Sequence, residues 1–226
     1  MTQREWLTGT ALGALAEYIG LTHLSRRKRW LLACACCRRI WPLMTDERSR
    51  RMIEVRELHA MGQASDEELW EAIEAAAQAR DEAKGVFRDA PVNIHRRPEA
   101  APAWAAAAAS TNSETAIQYV LNAAGCVCPR GWKAGIAEEQ AAQCVLLRDI
   151  FGNPFHSAWF GPEWRTSTAV ALASQMYDSR DFGAMPILAD ALQDAGYDND
   201  DILNHCRGPG PHVRGCWVVD LVLGKS

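Results

Sequence analysis

Three residues near the C-terminal end of the chain are of types that bind transition metals: Cys206, His212 and Cys216. Zinc takes thiolate sulfur and imidazole nitrogen as ligands, and four ligands complete a structural zinc site. His212 and Cys216 are four residues apart, so they would share one helix face if the C-terminal helix began early enough. These residue types therefore suggest zinc. Apart from zinc, the sequence predicts no cofactor.

The fourth ligand of such a site is not fixed by the local sequence. It is either His205, beside the first cysteine, or a distant thiol such as Cys34 or Cys37, which share one helical face at a three-residue step. The competing interpretation is that these thiols are small buried groups and that His212 bonds a carbonyl of the turn. Both interpretations stay open at the level of sequence.

The same loop can also be interpreted as an anion site. Arg207 and Arg214 flank Gly-Pro-Gly-Pro at 208–211, and with His212 they could hold a phosphate or a carboxylate. The two prolines have no amide proton to donate, and the glycine spacing matches neither a P-loop nor a dinucleotide fingerprint. The alternative is a stiff turn whose arginines pair with nearby acids, namely Asp198, Asp200 or Asp220.

A basic stretch at 26–56 carries ten Lys or Arg residues against three acids, although the whole chain has a net charge of −4. Such a stretch attracts nucleic acid or other phosphates by counterion release. Its charges could equally be compensated within the chain by the acids at 66–74 or by the aspartates between 178 and 201. The sequence leaves open whether the stretch is exposed or internally paired.

Local motifs for catalysis are missing from the sequence. There is no Gly-x-Ser-x-Gly elbow and no His-Glu-x-x-His metal motif. Acids do occur in groups, at 67–71 and 200–201, but each group lies at the start of a predicted helix, where capping and the helix dipole explain it. Catalytic residues can still assemble from distant positions, so an enzyme is not excluded.

The elements that would position these residues are all helical. Apolar spacing and capping residues predict an all-α, multi-helix globular bundle. Its segments are 3–19 (interrupted near Gly9), 25–44, 45–61, 66–84, 104–109, 111–124, 131–151, 163–178, 184–195, a short helix after 201, and a buried C-terminal helix at 216–223.

We expect one helical domain over 1–226. Its middle, 71–137, holds 20 of the 37 alanines and should bury little area per helix. Three prolines without apolar periodicity predict a linker or exposed loop at 88–103.

Composition excludes several classes of protein. With 226 residues, 48% hydrophobic and 23% charged, the chain is neither disordered nor fibrous. Its uncharged stretches are shorter than the roughly 20 apolar residues that cross a membrane, so we expect no membrane partner. The N-terminal residues do not resemble a signal peptide, so we expect a cytoplasmic protein whose eight cysteines are reduced.

Two motifs carry a resemblance. The stretch at 205–225, His-Cys-Arg-Gly-Pro-Gly-Pro-His-Val-Arg-Gly-Cys-Trp-Val-Val-Asp-Leu-Val-Leu-Gly-Lys, and the stretch at 33–41, Ala-Cys-Ala-Cys-Cys-Arg-Arg-Ile-Trp, resemble a paralogous family of planctomycete proteins of unknown function. The resemblance implies a bacterial protein with an Ala-rich helical middle that differs between paralogues. It implies no activity, cofactor or catalytic residue, so no functional residue is carried over.

Taken together, the sequence favours a non-enzymatic interaction or regulatory module that presents a helical surface to a protein partner. The main alternative is a zinc-stabilised module that binds an anionic partner, including nucleic acid, through the basic stretch at 26–56. An enzyme whose residues assemble from distant positions is the third interpretation.

Overall fold

The computed structural model describes residues 1–20, 25–86, 101–111, 115–120, 122, 128–156 and 158–225. Within these ranges every regular element is an α-helix or a short 3₁₀ turn, so the predicted all-α fold class is confirmed. No helix in the same ranges is both long enough and apolar enough to cross a membrane.

Most α-helices begin within two residues of a predicted start, but α6 begins three residues earlier and α9 four residues later than predicted. In chain order they are α1 Gln3–Thr8, α2 Leu12–Tyr18, α3 Arg26–Arg39, α4 Glu47–Ala60, α5 Asp66–Val86, α6 Ala101–Thr111, α7 at residues 115–120, α8 Trp132–Phe151, α9 Ser167–Ser179, α10 Met185–Asp194, α11 Asp200–Arg207 and α12 Trp217–Leu223. Two 3₁₀ turns, Trp41–Leu43 and Pro162–Trp164, add to them.

Capping chemistry explains several of these starts. The Glu68 amide donates to the Ser65 hydroxyl, and the Ser65 amide donates to the Glu68 carboxylate, which is the predicted capping box of α5. The α3 helix ends at Arg39, five residues before the predicted end, because Pro42 lacks an amide proton and lies in the 3₁₀ turn that follows.

Some predictions fall outside the described residues. The loop predicted at 88–103 is described only from residue 101, and residues 101–103 form the first turn of α6 instead of continuing a loop. The capping box predicted at 111–114 also lies outside the description apart from its first residue.

The helices of the predicted domain group into two compact units. The middle unit is Thr10–Cys144, and the C-terminal unit combines Met1–Gly9 with Val145–Ser226. The α8 helix contributes its residues up to 144 to the middle unit and residues 145–151 to the C-terminal unit.

In the middle unit, α4 packs against α3, α5 and α6. Residues 31–37 of α3 are all buried, as predicted for a segment without polar side chains. The Ala-rich α6 also contacts α3 and α5, and its Ala105, Ala106 and Ala109 are fully buried. Small side chains let helices approach closely, so the alanines form part of this core although each buries little area.

The C-terminal unit is built around α9, α10, α11 and α12, which contact one another in pairs. Leu188, Ile202 and Val219 are fully buried in it. The predicted buried C-terminal helix is confirmed as α12, which ends at Gly224 in a left-handed conformation with φ +66°. The position of α12 beside α11 brings the C-terminal cysteines and histidines into the same unit.

Candidate metal centre

Four side chains of the C-terminal unit converge on one point: Asp149, His205, His212 and Cys216. One ligand atom from each lies within 4.8 Å of the ligand atoms of the other three. Asp149 is near the end of α8, His205 is in α11, His212 is in the loop that follows, and Cys216 is the N-cap residue of α12. The cluster could hold a metal ion.

The distances define which atoms face the centre. His212 Nδ1 lies 2.8 Å from Asp149 Oδ1. His205 Nε2 lies 3.2 Å from the same oxygen and 3.2 Å from Cys216 Sγ. The two imidazole rings meet edge to face, with their centroids 4.8 Å apart. Two nitrogens, one oxygen and one sulfur therefore point toward a common position.

The cluster is removed from solvent. Asp149 is 3% exposed and Cys216 is fully buried, while the two histidines are partly buried. Burial raises the pKa of Asp149, but the bonds to His205 and His212 outweigh it and the pKa is lowered overall. Burial also raises the pKa of the Cys216 thiol, and the charge of Asp149 raises it further.

Backbone amides hold the two acidic ligands in place. The Val213 amide donates to Asp149 Oδ2 at 3.0 Å, which leaves Oδ1 facing the histidines. The amides of Val219 and Val218, in the first turn of α12, donate to the Cys216 sulfur and act to lower its pKa. Such outer contacts orient metal ligands and stabilise a thiolate at a helix N-terminus.

A buried arginine anchors the loop between His212 and Cys216. Arg214 is 6% exposed, and its Nε donates to the Tyr177 carbonyl at 2.6 Å while Nη2 donates to the Asp178 carbonyl at 3.1 Å. The next residue, Gly215, donates its amide to the Tyr177 hydroxyl at 2.9 Å. Both contacts tie the loop to the end of α9, which fixes the approach of Cys216.

Gly152, just after α8, makes room for the centre. It has φ +73°, and a Cβ at this position would lie 3.2 Å from the ring of Trp217. That ring in turn lies 5.2 Å from the His205 ring, centroid to centroid. A side chain larger than glycine would therefore press the indole toward the histidine, besides straining the backbone.

A cysteine, a histidine and an aspartate together could also suggest a nucleophilic triad, but the geometry differs from one. In a triad one imidazole nitrogen faces the nucleophile and the other faces the acid. Here His205 Nε2 faces both Cys216 and Asp149. The Cys216 side chain is also fully buried, whereas a nucleophile has to be open to its substrate. The arrangement suits coordination of a single ion better than proton relay.

The structure separates the residues that the sequence grouped as metal ligands. His212 and Cys216 are in the cluster, and His205, one of the alternatives for a fourth ligand, is there with them. Cys206 is buried outside the group, and burial raises the pKa of its thiol to about 12. Cys34 and Cys37 are buried in α3 of the middle unit.

Asp149 is the ligand that sequence reasoning missed. It lies 63 positions before His212 in the chain, a separation at which no local spacing rule applies, and only the fold brings the two side chains together. A signal did exist, because the segment Leu146-Leu147-Arg148-Asp149-Ile150 puts a carboxylate among residues that a helix would bury.

The predicted anion-site residues have partners within the C-terminal unit. Arg207 donates to Asp190 at 2.7 Å and to Gln193 at 2.8 Å. Arg214 bonds backbone carbonyls and His212 faces Asp149, as described above. The Arg207 guanidinium thus binds side chains of α10, and the Arg214 guanidinium binds the end of α9.

Within the basic stretch at 26–56, several arginines are paired inside the middle unit. Arg38 binds Glu57, a nearly buried carboxylate, at 2.5 Å, and Arg39 binds Glu139 at 2.8 Å. Arg48 binds Asp46 and Glu82, and Arg50 binds Glu47. These acids are not the ones that the sequence proposed as compensating charges, but they supply internal pairing all the same.

The candidate metal centre is assembled by the tertiary fold. Its candidate ligands come from four separate segments of the C-terminal unit, and their ligand atoms all lie within 4.8 Å of one another. Comparison of the chain with protein-family models, with curated proteins and with solved structures finds no match.

Proposed function

We propose that the protein is a non-enzymatic helical module that binds a protein partner, and that a zinc ion held by Asp149, His205, His212 and Cys216 stabilises its C-terminal unit. The observation that supports this proposal is the convergence of four ligand atoms within 4.8 Å in a buried position. The zinc ion acts as a structural crosslink between α8, α11 and the start of α12.

The donor set favours zinc over other common ions. Magnesium and calcium prefer oxygen ligands, whereas this cluster offers one sulfur, two imidazole nitrogens and one carboxylate oxygen. Zinc accepts all three ligand types and favours four ligands in a tetrahedron. A thiolate and a carboxylate together also balance the 2+ charge, so the loaded centre is neutral and can be buried at low electrostatic cost.

The same features favour a structural role over a catalytic one. Catalytic zinc sites keep one position open for water or substrate, whereas four protein ligands close the coordination sphere. The loop at 208–216 joins α11 to α12, whereas Asp149 comes from α8, which is distant in the chain. Binding of the ion therefore adds to the folding free energy of the C-terminal unit, as in other small metal-stabilised domains.

An anionic partner for the basic stretch at 26–56 is the weaker alternative. The pairing of Arg38, Arg39, Arg48 and Arg50 with carboxylates reduces the positive charge available to phosphates. A protein partner needs no such charge. We therefore retain the interaction module and give nucleic-acid binding no part in the proposal.

Reconstitution with cobalt tests the zinc proposal. We expect the apo protein to take up Co²⁺ with absorption bands of a tetrahedral ion and a sulfur-to-metal charge-transfer band, because Cys216 supplies a thiolate. Zinc should displace the cobalt and raise the melting temperature. Removing zinc should cost about 4 kcal/mol where free zinc had exceeded its Kd about a thousandfold. An unchanged melting curve and a purely octahedral cobalt spectrum would contradict the proposal.

A further inference from the structure

One face of α5 combines an exposed tryptophan with three glutamates. Trp70 is 62% exposed, the second most exposed large hydrophobic side chain in the described part of the chain. Glu67 and Glu74 lie one helical turn before and after it, and Glu71 lies between them. We call these four residues the Trp70 face.

The Trp70 face is opposite to the side of α5 that enters the core. Among the residues of α5 whose burial is described, Leu69, Ala72, Ala76 and Ala79 are buried, and α5 packs against α4 and α6. All four residues of the Trp70 face are exposed. Trp70 therefore contributes little to the core, and its exposure leaves a large apolar surface in water, where tryptophan is uncommon.

The glutamates of the Trp70 face are available for binding. Among the described residues, Glu67, Glu71 and Glu74 form no hydrogen bond and no ion pair. Other acids on the same helix are engaged: Glu68 caps the helix and Glu82 binds Arg48. Helix capping does not explain Glu74, which is beyond the first turn where the dipole favours acids.

From this arrangement we infer that the Trp70 face binds a basic segment of a partner protein, through an arginine or lysine that lies over the indole ring and is paired with the surrounding glutamates. Cations bind tryptophan faces more strongly than other aromatic faces, and tryptophan is enriched among the residues that dominate protein interfaces. The inference rests on the proposed role as an interaction module and names the partner's chemistry.

The negative charge of the Trp70 face favours a basic segment over other binding partners. Three carboxylates that have no cationic partner among the described residues repel nucleic acid and anionic lipid, and they attract a positively charged segment. Arg38, Arg39, Arg48 and Arg50 are already paired with acids of the chain itself, so they are not available to the Trp70 face of a second copy. The middle unit itself shows the proposed contact, since the Arg56 guanidinium lies 4.2 Å from the centroid of the Trp30 ring.

The test measures binding of fluorescent peptides to the full chain by anisotropy at low salt. The probes are (Arg-Ala-Ala)₄ and the acidic peptide (Glu-Ala-Ala)₄. We expect the arginine peptide to bind and the acidic one not to bind. Trp70→Ala should weaken binding about tenfold or more, as for a residue at the centre of an interface. The double variant Glu71→Gln, Glu74→Gln should weaken it about two- to fivefold and reduce its dependence on salt.

Trp159→Ala is the matched control, because Trp159 is 68% exposed but belongs to the C-terminal unit. It should bind the arginine peptide like the wild type. Equal binding by the Trp70 and Trp159 variants, or no binding of the arginine peptide at low salt, would overturn the inference. Self-association that Trp70→Ala abolishes would also overturn it, in favour of a second copy as the occupant.

The result is separable from the zinc proposal. The peptide assay is run on zinc-loaded and on chelated protein, and each sample's melting curve is recorded. Loss of peptide binding by Trp70→Ala with an unchanged response to zinc supports the inference on its own. Absence of peptide binding by a protein that still responds to zinc overturns the inference and leaves the zinc proposal standing.

Discussion

Replacing Cys216 with serine is expected to weaken zinc binding by at least a hundredfold and to remove the stabilisation that zinc provides. The side chain is fully buried and its sulfur is the only thiolate donor in the cluster. Serine keeps the shape but its hydroxyl does not ionise to replace the anionic ligand. At a zinc concentration that saturates the wild type, the C-terminal unit should lose about 3–4 kcal/mol.

Two further variants make this result specific. His205→Ala should reproduce the loss of zinc binding, because His205 Nε2 faces both Asp149 and Cys216. Cys206→Ala removes a buried thiol that is outside the cluster, so it should cost about 1 kcal/mol of stability and leave zinc affinity unchanged. Titration calorimetry with zinc measures all three. Equal zinc affinity of Cys216→Ser and the wild type would contradict the assignment of this ligand.

Replacing Arg214 with alanine is the second large expected effect. The change removes a buried guanidinium that donates to the carbonyls of Tyr177 and Asp178, which should cost about 2–4 kcal/mol. It also releases the loop that positions His212 and Cys216, so zinc affinity should fall about tenfold. Denaturant unfolding and zinc titration give the two values separately.

Arg207→Ala is the matched control for this variant. Arg207 was equally a candidate for anion binding, but its contact with Asp190 is exposed, with 40% and 68% of the two side chains accessible. Exposed pairs contribute about 0–1 kcal/mol, so stability and zinc affinity should both stay close to those of the wild type. If Arg214→Ala behaves like Arg207→Ala in both assays, Arg214 does not support the centre.

Most of the fold could be predicted because its helices begin and end on local signals. The Ser65 capping box and the Gly224 terminus act within one turn of the chain, and both are seen where the sequence placed them. The end of α3 was wrong by five residues, because apolar spacing continued through Trp41 and outweighed the effect of Pro42 in the prediction.

The candidate centre was only partly predictable, for two physical reasons. Adjacent residues of a helix point about 100° apart, so the sequence could not show that α11 turns His205 toward the centre and buries Cys206 elsewhere. Asp149 in α8 comes within 2.8 Å of His212 only in the folded chain, and no rule of sequence spacing predicts a contact between residues so far apart. The ion pair between Arg39 of the basic stretch and Glu139 could not be predicted for the same reason, because the two residues are 100 positions apart in the chain.

The most direct test of the account is the metal content of the chain, purified without a histidine tag and without chelators. We predict close to one zinc per chain by elemental analysis, lost together with thermal stability when a strong chelator is added and regained with both on addition of zinc. A folded protein that carries far less than one metal ion per chain, and whose melting temperature is the same with and without zinc, would contradict the central claim.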